Sequence, residues 1–229
     1  MMFTEPGVEV EFNSSLTVFT SCKLRVMTVG GGGHGGSFGG GGSGYIQYLS
    51  QNLTHVPPTT LIKLAVGDKG EASNVTINGN KVMALPGEDG FGIGGDGYSG
   101  GGGGMDIRCN GGFNGGDGEC RTGGEGTEEN ISNYYFENYK LSFGIEGEYY
   151  YSEHDGAYAG GGGGGVLING EGPGKRVNKV GLKRGKRVIE NKAGVKEYRG
   201  EGFGGGGNYH EDNDNDGHSG VIIIEIVKD

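Results

Sequence analysis

The chain has 229 residues, 57 of them glycine and only 5 proline, with no tryptophan and 32% apolar residues. That composition excludes collagen, which needs a strict Gly-X-Y period rich in proline, and it leaves only a small hydrophobic core for the length. No stretch approaches the roughly 18 apolar residues of a membrane-spanning helix, and the net charge of −10 divides into +8 over 175–199 and −18 elsewhere.

The start, Met-Met-Phe-Thr-Glu-Pro-Gly, lacks a basic patch followed by an apolar run, so no signal peptide is visible. Alternation of Val8, Val10 and Phe12, then Leu24 and Val26, predicts strands within 8–29 that run into the first glycine block at 30–33. A second group of strands is predicted over 45–84. It holds Tyr45-Ile46-Gln47-Tyr48-Leu49, then 60–66 after the Pro57-Pro58 break, then two short runs around Asn78-Gly79. An Asn-Gly pair between β-rich runs signals a tight hairpin.

Glycine dominates 87–126. Tyr134, Tyr135, Phe136, Tyr139 and Tyr149–Tyr151 follow within eighteen positions, either as an interface, where aromatics concentrate, or as the cover of a thin glycine core. Strands are predicted over 166–189, with a turn at Asn169-Gly170, and over 221–227. The unbroken apolar character of Val221-Ile222-Ile223-Ile224 predicts a buried central strand. No amphipathic helix is found.

The glycine-rich segments 30–44, 87–126, 144–165 and 200–220 are thus insertions within one β domain, 1–229. At roughly 0.5–1 kcal/mol per glycine, ordering all 57 costs on the order of 30–60 kcal/mol. Polyglycine II helices packed side by side offset that cost. Such helices rise about 3.1 Å per residue and have no internal hydrogen bonds, so their amides must find partners on neighbouring segments. On that rise 30–44 spans roughly 45 Å.

The order Val29 into Gly30–Gly33, Gly44-Tyr45-Ile46, Leu64-Ala65-Val66-Gly67-Asp68-Lys69-Gly70, six glycines into Val166-Leu167-Ile168, and Gly217-His218-Ser219-Gly220 into Val221 resembles the glycine-rich region of the anaplastic lymphoma kinase and leukocyte tyrosine kinase receptors. It is also similar to glycine-rich proteins of marine invertebrates and to the glycine-rich tips of phage tail adhesins. The receptor resemblance implies an all-β fold of tumour-necrosis-factor-like, jelly-roll type, with little or no α-helix and an inserted bundle of polyglycine II helices. The basic segment 175–199 has no counterpart in it.

Asp212-Asn213-Asp214-Asn215-Asp216-Gly217 matches the first half of a calcium loop, in which hard oxygens converge and glycine makes the sharp turn. Ile223 stands where the bidentate glutamate belongs, so Asp212, Asp214 and Asp216 are either calcium ligands or a solvated acidic turn. No cofactor is expected, with calcium at these carboxylates as the one alternative. Cys109 and Cys120 bracket a ten-residue loop and are candidates for a disulfide; Cys22 reads as a buried free thiol. Asn13, Asn52, Asn74 and Asn130 lie in glycosylation sequons and favour an extracellular protein.

Two Gly-x-Ser-x-Gly matches, at Ser37 and Ser99, are expected from composition alone. The five histidines form no ligand spacing, and no enzyme is expected. The basic segment lacks interleaved aromatics apart from Tyr198, so nucleic acid is not expected as a partner. The reading is a non-enzymatic structural module that self-associates. The alternative is a recognition module, a receptor-type ectodomain or tail-fibre adhesin, with a protein or glycan partner.

Overall fold

The computed structural model describes residues 1–14, 22–36, 39–53, 60–90, 94–98, 131, 134–143, 150–152, 157–159, 162–173, 189–190, 200, 202–207 and 216–228. These are all-β. The strands are β1 (Met2–Phe3), β2 (Glu9–Ser14), β3 (Cys22–Val29), β4 (Ile46–Leu53), β5 (Thr60–Ala65), β6 (Ser73–Ile77), β7 (Asn80–Ala84), β8 (Leu141–Phe143), β9 (Tyr150–Ser152), β10 (Ala157–Ala159), β11 (Val166–Ile168), β12 (Ile189–Glu190) and β13 (Val221–Lys228).

The central sheet has the order β1-β13-β3-β4. Its inner strands come from opposite ends of the chain and pair antiparallel, Val221 opposite Val29 and Lys228 opposite Cys22. Side chains alternate across a strand, so Leu24, Val26, Ile222 and Ile224 share one face with Ile62, Leu64 and Val75 of a second sheet, ordered β2-β5-β6-β7. Met27, Val29, Val221 and Ile223 share the other face with Ile46, Phe136, Val166 and Ile168, the last two from the small β11-β8 sheet. In the inner strands, Leu24–Val29 and Val221–Glu225 are buried on both faces. That is why the terminal strand shows no polar alternation, and its expected central position holds. The layers make a sandwich-like arrangement.

The Asn78-Gly79 turn forms as predicted. Ile77 pairs with Asn80, and Asn78 and Gly79 have φ of 48° and 87°, the left-handed pair that a two-residue hairpin of type I′ requires. Asn169 and Gly170, at φ 56° and 81°, make the second predicted turn. The segment 144–165 contains β9 and β10, whose Tyr151 and Tyr158 pair. One expectation is corrected: 30–44 does not extend as one 45 Å rod. Gly36 and Gly39 exchange two backbone bonds of 2.9 Å, and Gly33 and Gly30 donate to the carbonyls of Gly42 (2.9 Å) and Tyr45 (3.0 Å). The segment doubles back, and each leg supplies partners that the other needs.

Partners around these legs recur every third residue. Between the donors Gly30 and Gly33, Gly31 donates to the carbonyl of Glu71 (2.8 Å) and Gly32 to that of His218 (2.9 Å). The carbonyls of Gly31 and His34 accept from Gly87 (3.0 Å) and Gly90 (2.8 Å). In the returning leg, Gly41 and Gly44 donate to Gly207 (2.8 Å) and Gly204 (2.7 Å), while Gly42 and Tyr45 donate to Glu88 and Leu85, both at 2.9 Å. A β-strand has neighbours on two sides and a side-chain period of two; these segments have a period of three and partners in several directions. The approach is closest at positions such as Gly42. There a Cβ would fall well inside 3.0 Å of the Asp96 and Gly95 backbone.

Candidate functional site

Two polar clusters stand out from the apolar and glycine layers. The first forms where the turn after β5 meets the segment before β13. Asp68 heads that turn. Its Oδ1 accepts from the Lys69 backbone N–H (2.9 Å) and from the Ser219 hydroxyl (2.8 Å), and its carbonyl accepts from Glu71 N–H (2.9 Å). Asp216 lies beside it, with Oδ1 2.8 Å from His34 Nδ1 and Oδ2 accepting from Lys69 Nζ. Asp89 helps to hold His34 in place, its Oδ1 accepting from the His34 backbone N–H at 2.7 Å. Burial alone would raise the Asp216 carboxyl, but the hydrogen bonds and charges of Lys69 and then His34 outweigh it and hold the group below its ordinary value. Next to this cluster opens a cleft of about 350 Å³, with polar lining from Thr4, Asp68, Lys69 and Ser219 and apolar lining from Pro173 and Phe203.

The second cluster is an ion pair inside the sandwich. Arg25 and Glu225 face each other across β3 and β13, only 7% and 5% exposed, with Arg25 NH1 donating to Glu225 Oε2 at 3.0 Å. The carboxylate also accepts from the backbone N–H groups of Glu137 (2.9 Å to Oε2) and Asn138 (3.0 Å to Oε1) and from Asn138 Nδ2 (2.9 Å). Burial would raise the Glu225 carboxyl; these donors, with Arg25, hold it below its ordinary value. One carboxylate therefore pins the aromatic segment to the central sheet. Tyr135, 62% exposed, lies with its ring centroid 4.8 Å from the Arg25 guanidinium. Tyr134 stacks on Tyr48 at 4.8 Å, and Tyr48 donates its hydroxyl to the Tyr135 carbonyl at 3.1 Å. The described aromatics of this segment cover the central sheet, and Tyr135 alone of them is largely exposed.

Of the candidate calcium ligands, Asp216 has both oxygens engaged by Lys69 and His34, and a cation there would have to displace the ammonium. Asp212 and Asp214 lie outside the described residues. So do Cys109, Cys120 and Asn130, both serines of the Gly-x-Ser-x-Gly matches, and all of 175–199 except Ile189–Glu190. Asn13 lies in β2 opposite Leu61, Asn52 is exposed in β4 opposite Lys23, and Asn74 is half-buried in β6. Cys22 is buried and forms no disulfide with a described residue. Ser219 donates to a carboxylate rather than to an imidazole. Among the described residues no group of three metal-ligating side chains is found, and no helix is long and apolar enough to cross a membrane. The pairings of His34 with Asp216 and Arg25 with Glu225 were not foreseen. The one sequence signal for the second was a lone carboxylate, Glu225, inside the apolar terminal run.

Among known families, the glycine-rich domain matches residues 11–227, nearly the whole of this architecture. The chain belongs to the glycine-rich domain family. None of the curated proteins and none of the solved structures compared matches this glycine-rich domain.

Proposed function

We propose that this glycine-rich domain is a non-enzymatic structural module, made rigid by its glycine segments and self-associating outside the cell as a component of a filament, matrix or coat. The observation that carries the reading is the threefold recurrence of partners along 30–34 and 40–45, in which backbone amides rather than side chains hold the segments together. We read these segments as polyglycine II helices, which have three residues per turn and no internal bonds, inserted in a tumour-necrosis-factor-like sandwich of the receptor type. Rigidity of this kind suits a building block.

Two features support self-association. A mainly apolar groove of about 200 Å³ is lined by Met2, Phe3, Val8, Val10, Leu64 and Val66 together with Thr4 and Glu5, with Met2 and Val8 45% and 46% exposed. The charge also divides into +8 over 175–199 and −18 elsewhere, which favours contact between unlike parts of neighbouring copies; a contact of that kind that does not close propagates as a filament. Sedimentation velocity across a concentration series, with negative-stain electron microscopy, tests the reading. Association that weakens in Val8→Lys is expected, and a monodisperse monomer at high concentration in physiological salt would contradict it. Recognition of a partner is the second reading, favoured by the exposed Tyr135 ring over Arg25.

A further inference from the structure

We infer that the cleft between the Asp68 turn and the segment 216–220 binds one neutral, hydroxyl-rich ring, a single monosaccharide unit. The inference is independent of self-association and rests on the hydrogen-bonding capacity left in the cleft. Asp68 is oriented through Oδ1 by the Lys69 N–H and the Ser219 hydroxyl, while its Oδ2 accepts from none of the described residues. Lys69 commits its ammonium to Asp216 through one bond, which leaves two of its three protons for another acceptor. Thr4 adds a hydroxyl with no partner among the described residues. An acceptor fixed in orientation, a two-proton donor and a hydroxyl that serves as either match the adjacent hydroxyls of a sugar, each of which donates and accepts.

The charges select against other ligands. An anion would meet the Asp68 carboxylate beside an ammonium already paired with Asp216; an amine would gain Asp68 but meet that ammonium in the same cleft. Pro173 and Phe203 supply apolar lining for the C–H face of a ring. A volume of about 350 Å³ stands at the small end of ligand clefts, which run from roughly 300 to 1,000 Å³, and suits one ring rather than a chain. The turn is pre-organised by the Glu71 N–H bond to the Asp68 carbonyl, so little ordering is required on binding.

Saturation-transfer NMR on the intact chain, with glucose, galactose, mannose and N-acetylglucosamine as probes, tests the site. Saturable millimolar binding of at least one of them is expected. Asp68→Asn keeps the Oδ1 acceptor but turns Oδ2 into a donor, and should weaken binding about tenfold or more at an unchanged thermal midpoint. If that variant does not fold, Thr4→Val carries the test, with a loss of about threefold or more expected. Absence of saturation transfer from all four sugars, wild-type affinity in the variant that folds, or tighter binding of glucosamine or glucuronate than of the neutral sugars would overturn the inference. None of these outcomes bears on the sedimentation result.

Discussion

Replacing Gly42 by alanine tests whether the close approach of glycine segments holds the fold together. At an unstrained, open site glycine to alanine stabilises a protein by about 0.4–1 kcal/mol, because the unfolded chain loses freedom. At Gly42 the new Cβ would fall well inside 3.0 Å of the Asp96 carbonyl and of Gly95, all backbone atoms without a rotamer to yield. To make room, the Asp96 segment must withdraw. That strains the 2.7 Å bond from Glu88 N–H to the Asp96 carbonyl and the 2.9 Å bond from Gly42 N–H to the Glu88 carbonyl. Overpacking costs roughly 1–3 kcal/mol, and each buried backbone group left unpaired costs about 1–3 kcal/mol more. With both bonds lost, and less the entropic gain, the net loss is about 2–8 kcal/mol, a large part of the 5–15 kcal/mol typical of a domain. Gly7→Ala is the control: nothing lies within 4 Å and φ is +70°, so only left-handed strain of about 1–2 kcal/mol applies. Urea denaturation followed by tyrosine fluorescence reads both. A Gly42→Ala protein as stable as Gly7→Ala, or more stable than wild type, would refute the reasoning.

The buried ion pair gives the other mutational predictions. Glu225→Gln leaves the buried Arg25 guanidinium only the more distant, half-exposed carboxylate of Glu137, at 3.7 Å, and should cost up to about 3–5 kcal/mol. Arg25→Met combined with Glu225→Gln should cost less than the two single changes added together, since the residues share one interaction; strict additivity of urea midpoints would contradict the pairing. The Glu225 carboxyl is held below its ordinary value of 4.5. Its stabilising contribution is therefore complete above that pH and lost as pH falls through the lower folded value. Asp216, held below 3.8, acts in the same direction. Unfolding midpoints measured down from pH 6 should fall in acid, and Glu225→Gln should flatten that decline; an unchanged acid slope in the variant would contradict it.

Local patterns carried much of the fold, and contacts between distant segments carried the rest. The Asn78-Gly79 hairpin was legible because two left-handed residues in a row have a strong residue preference. The central place of 221–227 was legible because a strand covered on both faces loses its polar alternation. The folding back of 30–44 was not legible, because glycine has no side chain to mark which leg faces which. Arg25 and Glu225 stand 200 positions apart, and nothing local in either strand named the other. The same holds for His34 and Asp216. His34 interrupts a glycine run and Asp216 closes an acidic turn, but only the meeting of the glycine hairpin with the last loop joins them. The tyrosines left two readings, cover or interface; Tyr134 and Tyr139 pack against the core of the central sheet, and Tyr135 is exposed.

Native-state hydrogen exchange of the glycine amides, resolved by NMR, tests most directly the claim that the glycine segments are an ordered hydrogen-bonded frame. The amides of Gly33, Gly41, Gly42, Gly206 and Gly207 donate to backbone carbonyls at 2.8–2.9 Å. They should exchange as slowly as those of Val26 and Ile223 in the central strands, with opening free energies near the global value. Exchange of these five amides at the rate of an unstructured chain, while Val26 and Ile223 remain protected, would contradict the account.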